Sequence, residues 1–239
     1  MGSYGPAAEL YDLLQEAQKD YAAEAKLIGG FIGDARPDAR SILDVGCGTG
    51  GHARVLLDLG FEVDGVDLEP RFIEIASARC PEGRFTLGDM TALELPGRYD
   101  VVTCLFAAIG HLGTEDALRS AIRSMRDHLN PGGVLIVDPW FEPGQLTDGW
   151  ISTLTSKSDE ITVSRVSRTV LIGANSRIEF EYLVGRASGI ERLSEVHILS
   201  LFTQQQMEAA FSAAGFRVER KPRALLTRGI YVGTLPPRG

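Results

Sequence analysis

The sequence predicts an α/β protein with a doubly wound, mostly parallel sheet, an antiparallel last strand and an antiparallel β insertion. Strand-like and helix-like segments alternate between residues 41 and 137, which indicates parallel strands with helices on both faces. The apolar period changes to two between residues 151 and 202, as in an antiparallel sheet. We expect one domain, residues 1–239, because 239 residues fit one α/β unit with an insertion better than two independent domains.

Residues 1–36 are predicted to form one or two leading helices. Apolar residues recur at helical spacing from Ala7 to Phe31, and Gly29, Gly30 and Pro37 are expected to end the run. The core segments that follow are predicted as strand Ser41–Val45, helix Gly51–Leu59, strand Phe61–Val66, helix Pro70–Arg79, strand Arg84–Leu87, strand Tyr99–Cys104, helix Glu115–Leu129 and strand Val134–Val137.

The antiparallel insertion is assigned to residues 146–202. Apolar Ile178, Phe180 and Tyr182 alternate there with charged residues. The helix Gln204–Ala214 and the strands Phe216–Glu219 and Gly229–Gly233 then complete the sheet. Residues 37–145 and 203–239 therefore form the predicted cofactor-binding core.

Composition narrows the functional classes. The net charge of −8 opposes binding to nucleic acid, whose phosphates would be repelled on average. No apolar run approaches the roughly 18 residues of a membrane span, so we expect no membrane partner and a cytoplasmic location. Cys47, Cys80 and Cys104 are widely spaced and indicate reduced thiols, so no metal site is expected.

A glycine-rich turn follows the first predicted strand. Gly46, Gly48 and Gly51 satisfy G-x-G-x-x-G, and Asp67 follows about 20 residues later at the end of the next strand, as in dinucleotide sites. A nicotinamide cofactor is therefore one alternative. The acidic Asp44, the pair Asp89-Met90 and the run Pro131-Gly132-Gly133 instead favour S-adenosylmethionine.

Each of these side chains has a chemical role in that hypothesis. Asp67 would accept hydrogen bonds from the ribose hydroxyls, Asp89 would accept from the adenine amino group, and Met90 would pack on the ring. Asp44 suits the positively charged end of a sulfonium ligand. A purely structural alternative makes Asp67 a helix cap and Met90 a core residue.

Several segments outside the glycine turn carry family information. They are Ala8–Leu13, Lys19–Tyr21, Glu24-Ala25, Gly88–Met90, Ile109–Leu112, Leu201–Thr203, Ala213–Gly215 and Arg228-Gly229. With these segments the chain resembles the S-adenosylmethionine-dependent N,N-dimethyltransferases that act on thymidine-diphosphate (dTDP) amino sugars in antibiotic biosynthesis. The resemblance covers nearly the whole chain and implies a Rossmann-like class I methyltransferase sheet.

The resemblance also implies a set of site residues. Tyr11, His111 and Arg228 would be the catalytic residues around the sugar, and Tyr21 would close over the cofactor. The expected cofactor contacts are Tyr21, Asp44, Gly46, Gly48, Gly50, Asp67, Leu68, Asp89, Met90 and Leu105. The expected substrate contacts are Tyr11, Trp140, Trp150, Arg168, Arg177 and Arg228. The partner would be a small-molecule nucleotide sugar, and the resemblance allows a homodimer.

Two departures from the family pattern affect substrate choice. The chain has Trp140-Phe141 where the family has a tandem Trp, and Ala107-Ala108 where the family tends to carry two serines. Both changes alter groups that would face the sugar. The position of the amine and the number of methyl groups transferred stay open at this level.

Arginines of the insertion offer a binding surface for a diphosphate. Arg165, Arg168 and Arg177 fall on neighbouring predicted strands, although Arg165 and Arg168 should face opposite sides of a regular strand. An equally supported alternative pairs these arginines with glutamates such as Glu195 on a solvated face. His52 and His197 are expected to be ordinary surface or strand residues.

Three functional hypotheses therefore compete. The first is an N-methyltransferase acting on a nucleotide-linked amino sugar. The second is a methyltransferase for another small acceptor, such as a hydroxyl of a sugar or aglycone. The third is a cofactor-binding protein without catalysis, which the presence of Tyr11, His111 and Arg228 disfavours.

Overall fold

The computed structural model describes residues 8–16, 19–222 and 228–237. Its helices are α1 (Ala8–Glu16), α2 (Tyr21–Ala35), α3 (Gly51–Asp58), α4 (Pro70–Arg79), α5 (Glu115–Asp127) and α6 (Gln204–Ala213), with a short 3₁₀ helix at Ala108–Leu112. Its strands are β1 (Ser41–Val45), β2 (Glu62–Asp67), β3 (Phe85–Leu87), β4 (Tyr99–Cys104), β5 (Leu129–Val137), β6 (Ile151–Lys157), β7 (Thr162–Ile172), β8 (Asn175–Arg186), β9 (Gly189–Ser200), β10 (Arg217–Lys221) and β11 (Ile230–Thr234).

The larger sheet has seven strands in the order β10-β11-β5-β4-β1-β2-β3. Strands β1 to β5 pair in parallel, whereas β11 runs antiparallel to both β5 and β10. The strand order reverses its direction between β1 and β4, so the carboxyl ends of these two strands border a crevice. The predicted doubly wound sheet with an antiparallel last strand is confirmed.

Helices cover both faces of this sheet because its strands are apolar on both sides. One core includes Leu118, Ile122 and Met125 of α5, which lie against the sheet together with α6. The other core includes Ile28 of α2 and Leu56 of α3 on the opposite face. Burial on two faces explains why the parallel strands read as continuous apolar runs in the sequence.

The second sheet contains β6-β7-β8-β9 in sequential order, and every pair is antiparallel. The chain enters it after β5 and returns to the large sheet through α6, so the predicted insertion is confirmed. Helix α1 packs on the inner face of this sheet, where Leu10 and Leu14 contact Val163, Tyr182 and Val184. Helix α1 is therefore part of the wall that the insertion builds.

Two predicted boundaries were wrong. Gly29 and Gly30 do not end the second helix, because α2 continues to Ala35 and the Cα of Gly29 faces Leu59 of the neighbouring segment. Leu129 was placed in the preceding helix but begins β5, where it pairs with Tyr99 across an irregular register. Among the described residues, no helix is both long and apolar enough to span a membrane.

Candidate active site

The glycine turn after β1 forms the floor of a cleft at the carboxyl edge of the large sheet. Gly46, Gly48 and Gly50 adopt positive φ angles of 71°, 54° and 78°. A Cβ atom on Gly46 would lie 2.6 Å from the Cβ of Ala108, so this position requires glycine. A Cβ on Gly48 would instead project into open space, which leaves its backbone accessible to a ligand.

Asp67, at the end of β2, holds this turn in place. Its carboxylate accepts hydrogen bonds from the backbone N–H groups of Gly48 and Glu69, both at 2.9 Å. Burial raises the pKa of Asp67, and these backbone donors oppose the shift. The helix-cap alternative for Asp67 is wrong, because the N-cap of α4 is Glu69, which accepts from Arg71. Asp67 therefore borders the cleft as a fixed acceptor.

Asp44 lies beneath the same turn and is fully buried. It accepts a 2.8 Å hydrogen bond from the hydroxyl of Thr103 on β4, and burial raises its pKa. Leu105 follows β4 and its side chain is buried in the core between the sheet and α2. Leu105 therefore supports the cleft from below with its side chain.

The predicted adenine-binding residues follow β2 and β3. Oδ1 of Asp89 accepts from both the N–H and the hydroxyl of Thr91, which fixes the carboxylate and leaves Oδ2 for another donor. The Cε of Met90 lies 3.8 Å from the Cβ position of Gly46, at the border of the glycine turn. Leu68 is 48% exposed beside Asp67 and can cover a planar ligand.

The start of α2 closes the cleft from above. The ring of Tyr21 lies over Gly51, where an added Cβ would approach ring atoms to 2.7 Å, and it meets the His52 ring edge-on. His52 contacts Glu24 at 2.7 Å, and the Lys19 ammonium lies 3.1 Å from the same carboxylate. Burial lowers the pKa of Lys19. His52 is buried in this cluster, so its expected surface position was wrong.

Helix α1 is anchored to the glycine turn by polar contacts. Asp12 accepts from the Thr49 hydroxyl at 2.5 Å and from Arg79 of α4 at 2.6 Å. Arg79 also donates to the carbonyl of Thr49. The ring of Tyr11 packs 5.1 Å from that of Phe72, which joins α1 to the first turn of α4.

The loop after β4 carries His111. Phe106 and Ala107 have positive φ angles of 51° and 62°, an unusual backbone for residues with a side chain. This turn leads into the 3₁₀ helix that presents His111 towards the second sheet. Burial, together with the nearby His197, lowers the pKa of His111 to about 4. His111 is therefore neutral at physiological pH.

A polar cluster on the inner face of the second sheet faces His111. The His197 ring lies 5.8 Å from the His111 ring and 3.4 Å from the Glu195 carboxylate, which also accepts from Tyr182 at 3.1 Å. Glu195 and His197 are buried, whereas Val196 and Ile198 are exposed on the other face. The expected solvated position of Glu195 was wrong, whereas His197 is a strand residue as expected, on the buried face of β9.

Arg228 lies at the opposite wall and forms a buried ion pair with Asp138 at 2.8 Å. Its guanidinium also lies 5.3 Å and 5.5 Å from the ring centroids of Trp140 and Phe141. Burial raises the pKa of Asp138, and Arg228 opposes that shift. The Trp140 indole donates to Ser176 of β8, which joins this wall to the second sheet.

Three predicted substrate residues are not brought to the His111 cluster. Arg168 and Arg177 lie on the outer face of the second sheet, where both form ion pairs with Glu179. Trp150 is 54% exposed immediately before β6 and has no ring contact among the described residues. The cross-strand pairing with glutamate that the sequence left open therefore holds for Arg168, which lies opposite Glu179, whereas Arg177 pairs with Glu179 along its own strand.

Comparisons with known proteins give the family. A methyltransferase-domain model matches residues 42–133. The chain is 39% identical to dTDP-3-amino-3,6-dideoxy-alpha-D-glucopyranose N,N-dimethyltransferase of Streptomyces fradiae over 98% of this chain and 93% of the relative. It is 38% identical to dTDP-4-amino-2,3,4,6-tetradeoxy-D-glucose N,N-dimethyltransferase of Saccharopolyspora spinosa over 95% of this chain and 91% of the relative.

A solved structure is similar over nearly the same length. It is the S-adenosylmethionine-bound CalS10 of Micromonospora echinaspora, an amino pentose methyltransferase involved in calicheamicin biosynthesis, with 39% identity and a TM-score of 0.84. The match covers 92% of this chain and 93% of that one. The chain belongs to the dTDP-amino-sugar N,N-dimethyltransferase family. It is an S-adenosylmethionine-dependent methyltransferase, and the nicotinamide alternative is wrong.

The cleft of this methyltransferase fits its cofactor. The open space at Gly48, the fixed carboxylate of Asp67 and the exposed Leu68 suit an adenosine, and the buried Asp44 lies near the turn that would hold the methionine end. The charge of a sulfonium is compatible with these acidic groups, whereas a pyrophosphate would be repelled.

Several residues that lie around the cleft were not identified as site residues from the sequence. They are Glu24, His52, Asp138, Tyr182, Glu195 and His197. Glu195 and His197 could have been recognised as a pair from the sequence, because residues two apart on a strand lie on the same face. The polar members of that strand face inwards here, because at these positions the inner face borders the His111 loop and not the apolar contact with α1.

Proposed function

We propose that this enzyme transfers methyl groups from S-adenosylmethionine to the amine of a dTDP-linked amino deoxysugar and gives the N,N-dimethyl product in antibiotic biosynthesis. The observation that carries the proposal is the identity of about 39% with dTDP-amino-sugar N,N-dimethyltransferases along 98% of the chain. The matched length includes α1, the His111 loop and the second sheet, which form the acceptor end, as well as the glycine turn.

The reaction places specific demands on the protein. S-adenosylmethionine supplies a methyl group on a positively charged sulfur, and the acceptor nitrogen must approach that carbon in line with the departing sulfur. The protein has to hold the nitrogen at this position and exclude water, and alignment of this kind contributes much of the rate.

We assign His111 to orientation of the acceptor amine. A neutral imidazole has one donor and one acceptor, and the lowered pKa of His111 keeps it neutral. The neutral amine attacks through its lone pair and needs no proton removed during the displacement, and the ammonium formed afterwards can release its proton to solvent. The reaction therefore requires His111 to orient the amine more than to accept a proton from it.

The surrounding residues support that arrangement in the proposal. Tyr11 would approach the sugar from α1, and Tyr21 would cover the cofactor at the start of α2. Trp140, held by its hydrogen bond to Ser176, would form the part of the acceptor wall that adjoins the second sheet. Arg228 would act mainly through its ion pair with Asp138, which fixes the end of β5.

Mass spectrometry of reaction mixtures tests the proposal. The purified enzyme is incubated with S-adenosylmethionine and a panel of dTDP sugars that carry an amine at carbon 3 or carbon 4, together with matched hydroxyl sugars. We expect a gain of one and then two methyl groups on an amino sugar only. Methylation of a hydroxyl sugar, or of none of the sugars, would contradict the proposal.

We also propose a homodimer formed through the outer face of the second sheet. Ile151, Val166, Leu183 and Ile198 are each about half exposed on or beside this face, and an exposed apolar surface of this kind favours association. Light scattering of the purified enzyme should give twice the subunit mass, and Ile198→Asp should give a monomer. A monomeric parent enzyme would contradict this proposal.

A further inference from the structure

Three arginines of the second sheet differ in which face they occupy. Arg168 and Arg177 lie on the outer face and share an ion pair with the carboxylate of Glu179. Arg165 instead lies in register between Leu154 and Tyr182, which pack with α1 on the inner face. Arg165 is thus the arginine of this group that faces the cleft.

Arg165 differs from these two arginines in the charges that surround it. In the described part of the chain, no carboxylate oxygen lies within 4.0 Å of its guanidinium nitrogens, in contrast with the other two arginines. Its guanidinium lies 4.9 Å from the centroid of the Phe180 ring, a contact that orients the planar group without occupying its donors. A guanidinium held in this way is suited to two parallel hydrogen bonds with a phosphate.

Arg165 is also at a suitable place relative to His111. The His111 ring lies 5.8 Å from the His197 ring, which lies 5.4 Å from the Phe180 ring, on which Arg165 stacks. The three contacts lead from the acceptor loop along the inner face of the sheet. In an amino sugar linked through its anomeric carbon, the diphosphate lies across the sugar ring from the amine.

We propose that Arg165 binds the diphosphate of the nucleotide-sugar substrate. This inference rests on the proposed function and adds to it a residue that selects for a nucleotide-linked sugar over a free sugar or an aglycone. With the amine at His111 and the diphosphate at Arg165, the substrate lies along the inner face of the second sheet. Arg168 and Arg177 have no part in this binding.

Calorimetric titration of thymidine diphosphate into the enzyme loaded with S-adenosylhomocysteine tests the assignment. Arg165→Ala should weaken binding by about 10- to 100-fold, the range for loss of a charged, bidentate contact. Arg168→Ala and Arg177→Ala are the matched controls and should change the dissociation constant by less than about twofold. Arg165→Lys keeps the charge but not the planar group that can form two parallel hydrogen bonds, and should show an intermediate loss of affinity.

Two further measurements separate binding from folding. Thymidine without phosphates should bind the parent and Arg165→Ala equally, and the affinity for S-adenosylhomocysteine should be unchanged. If Arg165→Ala has a lowered melting temperature, the titration is judged on Arg165→Lys instead. Lysine keeps the aliphatic part of the side chain beside Leu154 and Tyr182.

The outcomes distinguish this inference from the function on which it rests. Thymidine diphosphate that binds the parent, Arg165→Ala and Arg165→Lys equally well would overturn the role of Arg165 and leave the proposed function standing. An equal loss in Arg168→Ala would also overturn it, since a general charge effect would then be responsible. A parent enzyme that binds no thymidine diphosphate at millimolar concentration would overturn both.

Discussion

The cofactor end and the acceptor end of the cleft are built in different ways. The cofactor end depends on short segments that follow successive strands of one sheet: the turn Gly46–Gly51, Asp67, and Asp89-Met90. The acceptor end brings together α1, the loop after β4, the end of β5 and the inner face of the second sheet. A ligand site made of one strand-to-helix turn is visible in a sequence, whereas a site made by two sheets is not.

The two ends also differ in electrostatics. Asp44 and Asp67 give the cofactor end an acidic character that suits a sulfonium. At the acceptor end, the Arg228–Asp138 charges are paired and His111 is uncharged. This contrast agrees with an acceptor that must arrive as a neutral amine.

The largest effect is expected at the buried ion pair of the acceptor end. Arg228→Ala leaves Asp138 buried without its partner and should lower the free energy of unfolding by about 3–5 kcal/mol. Urea denaturation measures this change in the free energy of unfolding. Arg168→Ala removes an exposed pair and should cost less than about 1 kcal/mol. An Arg228→Ala enzyme of unchanged stability but raised KM would make Arg228 a sugar-binding residue instead.

The second largest effect is expected in the loss of folding stability that His111 causes at low pH. The pKa of about 4 in the folded protein lies below the ordinary value of 6.5, so the unfolded chain binds a proton that the folded protein does not. Folding stability should therefore fall as the pH drops from 6.5 to 4, by up to about 3 kcal/mol from this group. His111→Asn should lose correspondingly less stability between pH 7 and pH 4.5 in urea titrations. Equal losses in both proteins would show that His111 is not buried.

A smaller effect is expected at the cofactor end. Asp67→Ala should weaken the binding of S-adenosylhomocysteine by about 1–3 kcal/mol, because it removes a charged acceptor and the anchor of Gly48. Calorimetry measures the loss. Glu69→Ala is the control, since it removes the cap of α4 and should change stability more than affinity. Unchanged affinity in Asp67→Ala would remove the ribose role from Asp67.

The smallest effect is expected in the kinetics of His111→Asn. Asparagine keeps a donor and an acceptor, so kcat/KM for the amino sugar should fall by less than about 100-fold. Steady-state rates across a range of pH values provide the measurement. A loss of about 1000-fold or more at every pH, with fold and cofactor affinity intact, would make His111 a general base.

The cofactor end of the cleft could be predicted from the sequence better than the acceptor end. The glycine turn and Asp67 could be located because each role depends on residues next to one strand end. The alternating helices and strands of the large sheet and the antiparallel insertion also followed from apolar periods of about 3.6 and two residues. The resemblance to a known family, and not the periodicity, pointed to Tyr11, His111 and Arg228.

The inner face of the second sheet could not be identified from the sequence, because it is defined by contacts between distant segments. Arg165 and Arg168 were correctly expected on opposite faces of β7, but no pattern in the sequence says which face borders the cleft. Strand β9 shows why, because Glu195 and His197 face inwards while Val196 and Ile198 face solvent. Apolar residues mark the inner face only where that face closes a core.

The identity of the methylated atom tests the central claim most directly. The enzyme is given S-adenosylmethionine labelled with carbon-13 in its methyl group and a dTDP amino deoxysugar, and the purified product is examined by NMR. We expect the labelled carbon to show the chemical shift of a methyl group on nitrogen and to couple through nitrogen to a proton of the sugar ring. A labelled methyl group on oxygen, or an unlabelled sugar after complete incubation, would contradict the account.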